Sequence, residues 1–485
     1  MTSAPTQSRI AAEPSLLGVC ELANAIRRRD VSAVEIVDAV LARIVALNKQ
    51  FHAFCTLDAE GARVAAERID DRLRAGDEVG PLAGVPVAVK DLLYTRGLRT
   101  TFGSPLYADF VPEQDDIAVA RLRAAGAVIV GKTNTSEFGY GPVGYNSLFP
   151  ATLNPWNTAL GPGGSSAGSA VAVATGMVPL ALGSDGGGSI RVPASLCGVF
   201  GFKPSFGRIP LYPGSRDESL PGPSGWELLE HIGPLTRSAE DAALGMSVMT
   251  GPAPEDRHSL PSDIADWSVR PGKRDIRIAY SVDMGFAAVD PEVAEIIRFS
   301  VEVLGRWIGQ SIIEAHPDIV DPQECFEALV ALDTNRVGLR RMADARGVTF
   351  GPALDRLLAR DWSADDFTAA MLARKQLANR MWRFMRNFDF LITPTVATAA
   401  FAAELDAPPL INGRPTGGAG CAPLAAIANL TGLPAASVPV GTTRDGRPVG
   451  LQVMGSHQDD LGVLCVSAMI ERALPRKPWS SDVVG

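Results

Sequence analysis

Residues 163–207 read GGSSAGSAVAVATGMVPLALGSDGGGSIRVPASLCGVFGFKPSFG. Serine and glycine cluster at both ends of an apolar run, Ser169 to Leu182. Gly176 and Pro179 break that run, which is too short to span a bilayer. Its second half, Val178-Pro-Leu-Ala-Leu182, has the length and bounding residues of a buried strand. Similar short runs recur outward from it, at Val85–Val89, Ala127–Val130, Ile276–Tyr280, Phe388–Ile392 and Ala436–Val440. Arg447–Met454 follows an Asp445-Gly446 turn and is expected to pair back as a hairpin. Helical periodicity fills the gaps. In Ser32–Leu47 the residues Ile36, Val37, Val40, Leu41 and Ile44 share one face, and Ser32 and Glu35 have capping-box spacing. Pro291–Trp307 and Asp365–Arg386 read as further helices. Buried strands alternating with helices predict a layered α/β fold with a mostly parallel sheet.

No stretch is long or polar enough for an interdomain linker, so one domain over 1–485 is expected. Within it we expect a helical part over 15–80, a core over 81–210, a loop-rich insertion over 205–275 and a carboxy-terminal part over 276–475. The chain has 485 residues, 46% of them hydrophobic and 20% charged, which suits a globular protein with a large core. The net charge of −9 argues against nucleic acid or an anionic membrane as partner. The six cysteines show no C-x-x-C spacing and read as small buried hydrophobes in a reducing compartment. MTSAPTQSRIAAEPSL has no apolar core after a basic start, so no leader is expected and the cytoplasm is the expected location.

Two short motifs fit by letter and fail by context. Gly126-Ala-Val-Ile-Val-Gly131-Lys132-Thr133 matches a phosphate loop, but its variable positions are themselves a strand, where a flexible turn is needed. Gly164-Ser165-Ser166-Ala167-Gly168 matches a nucleophile elbow, yet the residues before it, from Asn154 to Gly163, are turn-rich. The downstream histidines that a Ser-His enzyme requires (His231, His258, His316, His457) carry no distinguishing context.

The whole 163–207 stretch is a longer match. Together with Gly84-Val-Pro-Val-Ala-Val-Lys90-Asp91, Gly131-Lys-Thr-Asn-Thr-Ser-Glu-Phe138, Phe388-Asp-Phe-Leu-Ile-Thr-Pro394, Asn429-Leu-Thr-Gly-Leu-Pro434 and Gly450-Leu-Gln452, it resembles the amidase signature family over residues 15 to 475. The resemblance implies an α/β/α sandwich around a large mixed sheet. It puts the family nucleophile on Ser189, the bridging serine, preceded by a cis peptide, on Ser165, and the lysine on Lys90. It implies an oxyanion hole from the backbone N–H groups of Gly186, Gly187, Gly188 and Ser189. It lays Gly139, Tyr140 and Gly141 along the substrate channel. The chain departs from the family pattern at Gly186, which is expected to loosen the oxyanion loop, and at Ala167.

These residue types suit amide hydrolysis. Serine needs a base, and no histidine stands in any of the motifs. A lysine at the end of an apolar strand can serve, because burial disfavours its charged form. Ser165 would carry the proton between Ser189 and Lys90. Glycines before Ser189 leave N–H groups open to a substrate oxygen. Asp185 and Arg191 read as an ion pair stiffening the loop, and Ser166 as the next nucleophile candidate should Ser189 fail. No metal or organic cofactor is called for. The expected function is hydrolysis of small-molecule amides, with esters and carbamates (urethanes) included, by a monomer or homodimer; the apolar segment Thr395–Pro409 is a candidate pocket wall. An alternative is the glutaminase subunit of a transfer-RNA amidotransferase. Its recognisable Ser-Arg-Tyr-Asp-Gly segment is absent, so Arg336 or Arg340 would have to bind the carboxylate. A non-catalytic binding subunit would be expected to have lost Lys90 or Ser189, and both remain.

Overall fold

The structure is a computed structural model, and it describes residues 16–272, 276–416, 420–475 and 479. Residues 1–15 of the stretch read for a leader, and both ends of the expected 1–485 domain, lie outside the described residues.

Eleven strands form one sheet. In chain order the strands are β1 (Phe54–Leu57), β2 (Pro86–Lys90), β3 (Val128–Thr133), β4 (Leu180–Ser184), β5 (Phe200–Lys203), β6 (Ile232–Thr236), β7 (Ile278–Tyr280), β8 (Ile313–Glu314), β9 (Phe390–Pro394), β10 (Leu410–Ile411), β11 (Arg414–Pro415), β12 (Ala435–Thr442) and β13 (Pro448–Gly455). β10 and β11 pair separately; the large sheet runs β1-β3-β2-β4-β6-β5-β12-β13-β9-β7-β8. Helices flank it. Arg191–Cys197 packs on β5, β12 and β13, and Asp460–Ala473 on β12 and β13. The sheet is mixed, as expected, but the balance of directions is not. Parallel pairing is confined to β3-β2-β4 and β9-β7-β8, and antiparallel neighbours are the more numerous. The reason is local: β12 and β13 form a hairpin across Asp445-Gly446, and β6 returns antiparallel between β4 and β5 without a helical crossover. β6 also corrects the reading of 205–275 as a loop-rich insertion. That stretch supplies a central strand and the helix Ala239–Met249.

The capped helix forms where its pattern puts it. Ser32 accepts from the Glu35 N–H at 3.1 Å, the Glu35 carboxylate accepts from the Ser32 N–H at 2.8 Å, and the helix runs Ala33–Phe51. Its apolar face, Ile36, Val37, Val40, Leu41 and Ile44, is buried. The phosphate-loop match is strand, as its composition implied. β3 carries a buried Lys132 whose ammonium donates to the Thr95 and Thr100 hydroxyls. Among the described residues no helix is long and apolar enough to cross a membrane.

β2 and β4 position the site. They run parallel, with Val87 opposite Leu180 and Val89 opposite Leu182, so their carboxyl ends finish side by side. Lys90 closes one strand and Ser184 the other. Both strands are buried along their whole length.

Candidate active site

Lys90 lies at the end of β2 with its side chain fully buried. Its Nζ stands 2.7 Å from Ser165 Oγ and 3.1 Å from both the carbonyl oxygen and the hydroxyl of Ser184. Burial lowers the Lys90 pKa to about 7, against the opposing pull of Glu230 and Asp185. A lysine in that range has its lone pair available near neutrality. The Gly164–Ser165 peptide is cis. Ser165 opens the turn into the helix Ala167–Ala174, and the Ser166 N–H donates to the Ser189 carbonyl at 3.1 Å, tying that turn to the 185–189 loop. Ser166 is spent elsewhere: it is fully buried and its hydroxyl donates to the Ser184 carbonyl.

Asp185 organises the loop. Its carboxylate accepts from the Gly188 N–H at 2.7 Å, the Ile190 N–H at 3.2 Å and the Arg191 guanidinium at two 2.9 Å contacts. Both side chains of this ion pair are fully buried. Arg191 also donates to Ala425 O, Gln452 Oε1 and Asn429 Oδ1, and the Asn429 amide returns to Asp185. Burial by itself would raise the Asp185 carboxyl, but Arg191 holds it well below the usual carboxylate range. A charged, fully bonded pair in a dry site fixes the loop in one shape.

This geometry changes two expectations about the glycines. The Gly188 N–H already donates to the Asp185 carboxylate at 2.7 Å, and Gly186 is buried off the cavity that Gly187 and Ser189 line. Gly186 does not loosen the loop. A β-carbon there would stand 2.6 Å from the Trp226 ring, and one on Gly187 would stand 2.5 Å from the Phe326 ring. Glycine is what lets these two rings press against the backbone.

Ser189 and Gly187 are half-buried and open onto a cavity of about 890 Å³. Gly139, Tyr140 and Gly141 line it. Tyr140 and Trp226 stand 4.9 Å apart between ring centres, and Trp226 and Phe326 stand 6.3 Å apart. Trp226 is fixed by its indole N–H on the Phe138 carbonyl, and the Tyr140 hydroxyl bonds Thr334. The apolar segment Thr395–Pro409 reaches the wall with its second half, from Glu404 to Pro409. Arg336 and Arg340 are not brought here. Arg336 lies over the Phe367 ring and Arg340 donates to the Leu358 carbonyl. The guanidinium groups on the cavity wall belong to Arg356, paired with Asp406, and Arg360, paired with Glu327 and stacked on Trp362. His231 is buried and pairs backbone to backbone with Asp185, its Nδ1 2.8 Å from the Leu229 carbonyl; it does not line the cavity.

The Amidase family model matches residues 35–464. This chain is a member of the amidase signature family. Amidase signature enzymes act on C–N bonds, and the chain is an enzyme of that class. It is 34% identical to a glutamyl-tRNA(Gln) amidotransferase subunit of Roseiflexus sp. (strain RS-1), over 94% of this chain and 96% of that one. A bacterial aryl acylamidase of the family superposes with a TM-score of 0.86 at 27% identity, over 96% of this chain and 98% of the neighbour. The glutamyl-tRNA(Gln) amidotransferase subunit of the same name from Thermotoga maritima superposes with a TM-score of 0.72 at 28% identity, over 91% and 92% of the two chains.

Within this amidase signature fold, sequence reasoning gave Asn429 and Gln452 no role, although both stand in the matched segments. Trp226, Phe326 and Ser184 went unremarked. Ser184 sits five residues before Ser189 on a strand read only for its burial, and a strand pattern does not reveal which end-residue meets a distant lysine. Trp226 and Phe326 come from segments far along the chain with no local signal.

Proposed function

We propose that the chain hydrolyses amides through Ser189 as nucleophile, Ser165 as proton carrier and Lys90 as base. The observation that carries this reading is the 2.7 Å contact between Lys90 Nζ and Ser165 Oγ in a dry site, beside a cavity that holds Ser189. In the forward step the Ser189 oxygen bonds to the carbonyl carbon. Its proton passes to Ser165 as the Ser165 proton passes to Lys90. Negative charge gathers on the substrate oxygen, which the N–H groups of Gly187 and Ser189 on the cavity wall are placed to receive; one such donor typically contributes about 3–4 kcal/mol. Collapse breaks the C–N bond, and the proton held by Lys90 returns through Ser165 to the leaving nitrogen. Water then repeats the sequence on the acyl-enzyme.

Walls of Tyr140, Trp226, Phe326 and Trp362 favour substrates with an apolar group next to the scissile bond, including esters and carbamates. The arginines on the wall are paired with carboxylates, which leaves less bare positive charge for an acidic substrate. In this reading the chain is one domain and works as a monomer or homodimer.

A second reading is the glutaminase subunit of an amidotransferase, which would bring partner subunits and glutamyl-tRNA. On the comparisons it is the better supported, since relatives at 34% and 36% identity carry that name. The cavity wall favours the first. Steady-state hydrolysis of an aryl nitroanilide, a phenyl ester, an aryl carbamate and glutamine separates them, with Ser189→Ala as control. The first reading expects the aryl substrates to be turned over at least about 100-fold faster than glutamine. Turnover of glutamine alone sinks it in favour of the second. Ser189→Ala activity within about tenfold of the parent sinks the nucleophile assignment.

A further inference from the structure

We infer that Ser184 is a positioning residue for the proton transfer, its hydroxyl and carbonyl together turning the Lys90 lone pair toward Ser165. The inference rests on Lys90 acting as the base.

Lys90 Nζ has three oxygen neighbours within hydrogen-bond distance: Ser165 Oγ, Ser184 O and Ser184 Oγ. The nitrogen is fully buried, so water does not supply a fourth partner. A neutral amine has two N–H donors and one lone pair. The Ser184 carbonyl can only accept, so it takes one N–H. If the Ser184 hydroxyl accepts the other, the lone pair is left facing Ser165. That is the arrangement in which Ser165 can give up its proton. After transfer, the ammonium has three N–H groups for the same three oxygens, and none is left unsatisfied. Ser184 therefore holds the two hydrogens that do not react, before and after the step.

The backbone fixes Ser184 for this task. Asp185 and His231 exchange both of their main-chain hydrogen bonds, so the Ser184 carbonyl, one residue earlier on β4, turns away from β6 and toward β2. The Ser166 hydroxyl occupies the second lone pair of that carbonyl at 3.1 Å. Ser184 is 3% exposed and is bonded to Lys90 through both of its oxygens. The charged groups that act on Lys90 are Glu230 and Asp185.

Removing the hydroxyl has two consequences of known sign. The neutral amine gains a rotamer that points its lone pair at empty space, so fewer molecules are poised to react. The ammonium loses one of its three acceptors, so the charged form is disfavoured and the Lys90 pKa falls further. In Ser184→Ala the plateau of kcat/KM for an aryl ester is expected to drop roughly 10- to 100-fold, with KM changed by less than about twofold. The acid limb of the pH profile is expected to move to lower pH. Ser184→Thr keeps the hydroxyl and suits a buried strand, and is expected to restore both rate and limb. A Ser184→Ala enzyme with parental rate, or with an unmoved limb, overturns the inference. So does a Ser184→Thr enzyme that behaves like the alanine variant. Lys90→Met measured alongside keeps the two failures apart. An active Lys90→Met enzyme removes the relay itself, whereas a dead Lys90→Met beside an unaffected Ser184→Ala removes only the role of Ser184.

Discussion

Burial brings the Lys90 ammonium down to about 7, and that shift makes rate and stability predictions of definite sign. Below that value Lys90 is an ammonium and cannot accept a proton, so kcat/KM is expected to fall as pH drops through about 7. The limb should persist in His231→Asn, because His231 lies outside the cavity and burial already keeps it neutral. A limb that vanished with His231 and survived in a Lys90 variant would restore a histidine base. The sign for stability runs opposite to the usual lysine case. The unfolded side chain stays charged up to about 10.4, whereas the folded one prefers to be neutral above about 7. Below the folded value the native state carries the whole cost of a buried charge, and that cost fades as pH rises toward the unfolded value. Lys90→Met is therefore expected to abolish turnover while raising the melting temperature, more at about pH 6.5 than at about pH 9.5. Thermal melts at the two pH values check this; an equal or lower melting temperature at the acid value would refute it.

At the scale of elements, the 185–191 loop is held by the Asp185–Arg191 pair and by the Trp226 and Phe326 rings packed against Gly186 and Gly187. Gly187→Ala is expected to lower kcat roughly 10- to 100-fold by forcing the loop off Phe326. Adding Phe326→Ala should return at least about fivefold of that loss, a non-additivity expected of groups in contact. Independent, additive losses in the double variant would mean that the ring does not set the loop. The elements themselves differed in how openly the sequence displayed them. Ala33–Phe51 was legible because an apolar stripe and a reciprocal cap agree. β2, β4, β9 and β12 were legible as continuous apolar runs, the mark of strands buried on both faces. β6 was not, because Ile232-Gly-Pro-Leu-Thr236 carries glycine and proline and sits in a proline-rich stretch. Its neighbours across the sheet, and not its own pattern, make it a strand. At the site, the motifs led to Lys90 and Ser165, which the fold brings within 2.7 Å, and to Ser189, which lines the cavity beside them; Arg336 and Arg340, named only for the alternative reading, lie off that cavity, because sequence order does not show which arginine a fold turns inward.

For the whole molecule, the chemistry proposed above is complete with protein groups alone, so exhaustive dialysis against a strong chelator is expected to leave hydrolysis unchanged. Activity lost and then restored by one divalent ion would require a different mechanism. The groups proposed to react hang from β2, β4 and the turns beside them, while most of the cavity wall comes from 323–362, 404–416 and Gly420, which reach the site from much later in the chain. Apart from Phe326, which presses on Gly187, this wall can be rewritten without touching the groups proposed to react. The molecule pairs an engine fixed to the sheet with a mouth assembled from later segments, and a laboratory shortcut follows. Grafting the 352–362 and 404–409 segments of another family member onto this sheet is the shortest route to a new diet with the old reaction intact.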